Sequence, residues 1–138
     1  MELSPRHKDI ISAKICPYCN SKTRGASQEE VYGKRYSNRV MIVCKNFPSC
    51  DSYVGTHDDG TTLGRLANRE LRQFKKAAHE AFDKLWKEKY INRDTAYEQL
   101  ADYLGLPDRY THIGMFGKET CAKVVLWATE KYQKEVAQ

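Results

Sequence analysis

Four cysteines in two pairs, Cys16 with Cys19 and Cys44 with Cys50, are the residues of this chain best suited to chemistry. Cys16-Pro17-Tyr18-Cys19 closes one pair over two residues, Cys44-Lys45-Asn46-Phe47-Pro48-Ser49-Cys50 closes the other over five, and 24 residues separate the pairs. A Cys-x-x-Cys turn aims two thiolates at one centre, and Pro17 and Asn20 bend the chain so that backbone N–H groups also face the sulfurs. Two such turns make a closed tetrahedral shell, so the pattern predicts one structural Zn2+ held by Cys16, Cys19, Cys44 and Cys50. A segment of roughly 45 residues buries too little apolar surface to fold alone. Metal binding is therefore expected to supply most of its folding free energy, on the order of 10 kcal/mol.

Other chemistries for these and neighbouring residues are weaker. Cys-Pro-Tyr-Cys is also the redox tetrad of glutaredoxins, but there it follows a buried strand and opens a helix. Here Ser12-Ala13-Lys14-Ile15 is short and polar, and Asn20-Ser21-Lys22-Thr23-Arg24-Gly25 reads as a turn. Disulfides of a secreted domain are disfavoured because residues 1–11 lack the long apolar core of a signal peptide. His57-Asp58-Asp59 resembles the histidine that treble-clef nucleases set beside a zinc knuckle, but Asp58-Asp59-Gly60 is ordinary turn chemistry. Cys121 with His112 as base is a thiol-catalyst alternative without an assignable third group, and a core thiol is the simpler reading. His79 and His112 are read as half-buried structural histidines. No enzyme activity is expected.

The elements that must position the cysteines follow from periodicity. Residues 1–14 read as a flexible lead-in with at most one short turn, a weak candidate for a basic arm. Residues 15–62 read as β: Glu29–Tyr32 and Arg39–Val43 form a hairpin across Gly33–Asn38, Val43 runs into the second knuckle, and Ser52–Gly55 leaves it as a third strand. Residues 63–138 read as helical. Leu71, Phe74, Ala78, Ala81, Phe82, Leu85 and Trp86 make an apolar stripe on a helix over Leu66–Tyr90. Asp94 is the expected cap of a second helix, with Ala96, Tyr97, Leu100, Ala101 and Leu104 on its apolar side and Gly105 ending it. That helix could open a helix-turn-helix, but Tyr110–Gly117 is apolar and reads as a buried connector, not a recognition helix. A last helix spans Lys118 to about Val136. The fold class is α+β: an N-terminal β zinc ribbon closed by the four cysteines, packed with a C-terminal bundle of about three α-helices.

Among 138 residues, 41% are hydrophobic and 30% charged, and the formal net charge is +5. No apolar run reaches the ~18 residues that span a bilayer. The odd fifth cysteine, Cys121, suits a reducing compartment, so a soluble cytoplasmic chain is expected. Charge is concentrated: five basic residues and one acidic residue lie between Arg65 and Lys76, with Arg65, Arg69, Arg72 and Lys76 recurring along the predicted helix face. Such a run is often only a solvated face. Tyr18, Tyr32, Tyr36, Phe47 and Tyr53 in the ribbon are candidates to stack on unpaired bases, with Lys22, Arg24, Lys34, Arg35 and Arg39 available to phosphates. Some of these rings must instead cover the small core.

The knuckles Cys16-Pro17-Tyr18-Cys19-Asn20 and Cys44-Lys45-Asn46-Phe47-Pro48-Ser49-Cys50 resemble the C-terminal zinc ribbons of bacterial type I topoisomerases, with Asn20 in place of the usual glycine and a longer loop between the pairs. Nearly the whole chain resembles a family described as a zinc-finger-containing domain of phage and bacterial proteins. The resemblance lies in Tyr53-Val54-Gly55-Thr56-His57, Leu63-Gly64-Arg65-Leu66-Ala67-Asn68, Ala78–Asp83 with Leu85-Trp86, Ala96-Tyr97 with Leu100-Ala101, and His112–Phe116. It implies a metal but no reaction. The expected function is a non-catalytic module binding single-stranded DNA or RNA through Tyr18, Lys34, Arg35, Phe47, Arg65, Arg69, Arg72 and Lys76. The alternative is a small phage-type protein that binds, and modulates or inhibits, a host protein.

Overall fold

Ser4 and Pro5 begin the first element. In the computed structural model, which describes residues 3–137, Pro5–Ile11 is a helix, α1, whose N-cap Ser4 hydroxyl accepts the His7 N–H. A proline in the first turn costs the helix no hydrogen bond. The expected flexible lead-in is, in its described part, a capped helix that delivers buried Ile11 and Ala13 to the core. Residues 1 and 2 of that lead-in lie outside the described residues.

Three short strands, β1 (Thr23–Ala26), β2 (Met41–Cys44) and β3 (Tyr53–Val54), form an antiparallel sheet in the order β1-β2-β3. Thr23 faces Cys44, Ala26 faces Met41, and Ile42 faces Val54. The first strand therefore falls where a turn was expected. Glu29–Tyr32, expected to be extended, lies in a helical turn, α2 (Gln28–Tyr32). The Ser27 hydroxyl accepts the Glu30 N–H at 3.1 Å, and Gly33 ends the turn in the left-handed region at φ 75. Ser27-x-x-Glu30 is a capping sequence, and it outweighs the β-preference of Val31 and Tyr32. The second expected strand starts at Met41, not Arg39, and the third is Tyr53–Val54 alone.

The chain divides between Arg69 and Glu70 into two compact units. The front unit extends past the expected boundary at residue 62 because of two residues. Leu66 is fully buried with Ala13, Cys16, Cys44 and Val54, and Ala67 exchanges both backbone hydrogen bonds with Tyr53, at 2.9 and 3.2 Å. Helix α3 accordingly runs Arg69–Lys87 and not from Leu66 to Tyr90. The front core is thin: Ile11, Met41, Val43, Val54 and Leu66 are its large buried apolar side chains besides cysteine.

In the rear unit Leu71, Ala78, Phe82 and Leu85 of α3 are buried, as periodicity predicts. Helix α4 (Arg93–Leu104) is capped by Asn92, whose side chain accepts the Thr95 N–H at 2.7 Å, so the cap precedes the expected Asp94. Gly105 ends it with φ 68. Two 3₁₀ turns, Asp108–Tyr110 and Ile113–Met115, replace any recognition helix and bury Thr111, Ile113 and Phe116. Helix α5 (Lys118–Val136) buries Cys121, Val124 and Ala128. The Phe82 ring lies 4.7 Å from Tyr97 and 6.3 Å from Trp127 between centroids, so aromatic rings cluster around the buried Phe82. Among the described residues no helix is long and apolar enough to cross a membrane.

Candidate metal centre

The two knuckles are built differently and meet at one point. Cys16 donates its N–H to the Ser21 carbonyl at 2.8 Å, and Asn20 donates to the Cys16 carbonyl at 2.9 Å, which closes the first turn. Asn20 adopts φ 63, a left-handed conformation that glycine or asparagine tolerates and β-branched residues resist. Strand β2 delivers Cys44 to the second turn, where Phe47 N–H donates to the Cys44 carbonyl at 2.9 Å and Cys50 N–H to the Asn46 carbonyl at 3.0 Å.

All four Sγ atoms lie within 4.8 Å of one another, with Cys16 to Cys50 at 3.6 Å and Cys19 to Cys44 at 3.3 Å. A tetrahedron with Zn–S of about 2.3 Å has edges of roughly 3.8 Å. The sulfur separations bracket that figure, the four are free thiols and not disulfides, and they form an all-soft donor set with no open position. One structural zinc ion fits, held by Cys16, Cys19, Cys44 and Cys50. Cys16 and Cys44 are fully buried, so the ion is shielded on its inner side, while Cys19 is exposed.

A second layer of polar groups surrounds the sulfurs. The buried Ser52 hydroxyl is 3.3 Å from Cys16 Sγ and 3.6 Å from Cys50 Sγ. Asn46 donates its backbone N–H to Cys44 Sγ at 3.4 Å, while its side-chain amide lies 3.7 Å from Cys19 Sγ and 2.9 Å from Ser21 Oγ. Such donors favour thiolate over thiol and orient the ligands. Sequence reasoning missed these groups, yet the signal was present: Ser21, Asn46 and Ser52 each stand two residues after a ligand. Before metal enters, hydrogen bonds from Ser21 hold the Cys19 thiol down to about 6, and burial pushes Cys44 up to about 12 and raises Cys50. Loading the site must therefore expel protons from Cys44 and Cys50.

His57 is exposed in a turn closed by the Gly60 N–H on its carbonyl, Asp58 pairs with Arg39 at 2.7 Å, and Asp59 caps Thr61. Among the described residues only the cysteine tetrad clusters as metal ligands. Cys121 is fully buried in α5, and His112 is exposed.

The residues expected to meet nucleic acid are scattered by the fold. Tyr18 is half-exposed, but its hydroxyl accepts the Asn68 N–H at 3.1 Å and donates to the Leu66 carbonyl at 3.4 Å. Phe47 is half-buried, its ring edge-to-face with that of Tyr53 at 6.1 Å between centroids. Lys34 Nζ stands 5.5 Å from the Tyr36 ring centroid. Arg35 is paired with Glu29 at 2.8 Å, as Arg24 is with Glu30 at 2.6 Å. Arg65 lies before α3, with Nη2 3.5 Å from His7 Nε2, so the expected four-residue stripe begins at Arg69. Arg69, Arg72 and Lys76 do share one face of α3, with Arg69 and Lys76 exposed and Arg72 half-buried.

Residues 12–131 match the family model described as a zinc-finger-containing domain. No curated protein and no solved structure matches the chain.

Proposed function

The chain belongs to the zinc-finger-containing domain family, and from that premise we propose that it is a nucleic-acid-binding module without catalytic activity, in which zinc shapes the front unit and surface cations take backbone phosphates. The observation that carries this reading is the loop between α2 and β2, where Lys34, Arg35, Tyr36 and Arg39 are all exposed. Basic and aromatic side chains interleaved on one surface offer both halves of nucleic-acid affinity, charge for phosphate and rings for bases. Supporting it, Lys22, Lys34, Lys45, Arg69 and Lys76 make no ion pair among the described residues. Part of this positive charge offsets the centre itself, because Zn2+ on four thiolates carries a net charge of about −2. Five thiols without a disulfide suit the reducing cytoplasm.

Anisotropy titrations of zinc-loaded protein with labelled single- and double-stranded oligonucleotides, from about 50 to 200 mM salt, test it. Affinity is expected to fall steeply with salt. Replacing Arg69, Arg72 and Lys76 together is expected to reduce the slope of log affinity against log salt by about 2 to 3. Absence of binding at the lowest salt refutes the module, and divalent-metal-dependent cleavage of the oligonucleotide refutes its non-catalytic character.

One observation favours a second reading. Arg24, Arg35 and Arg39 are each ion-paired with a carboxylate, which leaves a mixed-charge, tyrosine-rich surface of the kind protein partners use. Pull-down of one partner protein that survives nuclease treatment distinguishes it.

A further inference from the structure

Four aromatic side chains form a continuous strip on the front unit. Tyr36 and Tyr32 have ring centroids 5.7 Å apart, Tyr32 and Tyr53 5.8 Å, and Tyr53 and Phe47 6.1 Å, with interplanar angles of 79°, 90° and 86°. Exposure falls along the strip: Tyr36 is 70% and Tyr32 47% exposed, while Tyr53 and Phe47 are half-buried. The inner pair anchors the strip and the outer pair faces solvent. Tyr36 and Tyr32 thus put a large part of each aromatic side chain at the surface, where a planar ligand can reach it.

The outer end is held rigidly although residues 32–40 are all exposed. Gln28, buried in α2, accepts the Tyr36 N–H at 2.7 Å and the Ser37 N–H at 2.8 Å, and its amide donates to the Ser37 hydroxyl at 2.9 Å. That hydroxyl also accepts the Arg39 N–H at 3.2 Å. A ring presented on an already ordered loop loses little conformational entropy when it binds. Lys34, which makes no ion pair among the described residues, sets its ammonium beside Tyr36.

Resting on the nucleic-acid-binding reading above, we infer that this strip is a base-stacking platform for an unpaired strand, with Tyr36 and Tyr32 each seating one base and Lys34 a flanking phosphate. Ring spacing decides the strand type. Stacked bases in a duplex repeat at about 3.4 Å per strand, too close to seat one per ring. Neighbouring rings of the strip are 5.7 to 6.1 Å apart and nearly perpendicular, so they cannot each face one of two parallel duplex bases and suit a single strand with its bases splayed. Stacking reads no hydrogen-bonding edge, so the ligand class is single-stranded nucleic acid of mixed sequence.

The test uses the zinc-loaded full chain and a fluorescein-labelled oligothymidine of about 15 nucleotides, with a duplex of equal length beside it. Tyr36→Ala and Tyr32→Ala are each expected to weaken single-strand binding by about 5- to 100-fold. Their salt slope stays unchanged, because neither ring touches phosphate, whereas Lys34→Gln lowers the slope by about 1. Tyr36→Phe keeps the ring and binds like the unaltered chain. One zinc per chain and an unchanged circular dichroism spectrum establish that each variant is folded. Alanine variants that bind as tightly as the unaltered chain overturn the platform and leave the broader module standing. Equal affinity for the duplex overturns the single-strand assignment, and an unaltered chain that binds neither probe at low salt overturns both readings.

Discussion

Stripping zinc from the full chain is expected to unfold the front unit while the rear helices stay folded. The magnitude follows from the two cores. The front unit buries five large apolar side chains, Ile11, Met41, Val43, Val54 and Leu66, which at ~2 kcal/mol each supply about 10 kcal/mol. A structural zinc site of this kind supplies about 10 to 16 kcal/mol. A small domain retains only about 5 to 15 kcal/mol in net stability, so losing a term of that size leaves nothing to hold the sheet. The rear unit contains no zinc ligand and packs Phe82 against Tyr97 and Trp127. The sequence supplies a convenient reporter, because both tryptophans, Trp86 and Trp127, lie in the rear unit. Chelation under reducing conditions should leave Trp emission and the helical dichroism nearly unchanged. Amide exchange should become rapid at β1, β2 and β3 and stay slow in α3 and α5. Protected amides at Met41–Cys44 in protein shown to be zinc-free refute the reasoning, and so does loss of the Trp signal together with the metal.

Four further outcomes follow from the same geometry. Ser52→Ala removes the hydroxyl shared by Cys16 and Cys50 and should lower zinc affinity by about 10- to 100-fold in competition with a chromophoric chelator. Zinc affinity should also fall as pH falls: Cys19 is already ionised near neutrality, while the raised Cys44 and Cys50 thiols must release their protons. Those two thiols alone make log affinity change by at least about 2 per pH unit between pH ~6.5 and ~8.5, and a slope near zero contradicts the assignment. Asn20→Gly should be tolerated and Asn20→Val should destabilise holo protein by about 1 to 2 kcal/mol in chemical denaturation, since a β-branched residue resists φ 63. Phe82→Ala, in a fully buried site, should cost the rear unit about 3 to 5 kcal/mol by Trp-monitored unfolding and leave zinc stoichiometry at one per chain.

The zinc centre and the rear helices were legible in the linear chain, because both depend on local spacing. Ligand turns need only Cys16-x-x-Cys19 and a second pair, Cys44 and Cys50, and helix faces follow from the 3.6-residue recurrence of Leu71, Ala78, Phe82 and Leu85, with Gly105 as a stop. Two misreadings were local as well: Ser27-x-x-Glu30 before Gly33, and Asn92 ahead of Arg93, carried capping chemistry that the β-preference of Val31-Tyr32 and the acidity of Asp94 obscured. Tertiary structure alone decided the rest. It drew Leu66 and Ala67 out of the helical pattern into the front core, because the sulfurs and β3 needed an apolar cover there. It neutralised Arg39 with Asp58, 19 residues away, and brought Phe47 and Tyr53 into line with Tyr32 and Tyr36. Periodicity describes how a segment repeats along itself; which side chains from distant segments share a surface depends on how the chain closes, and here the metal closes it.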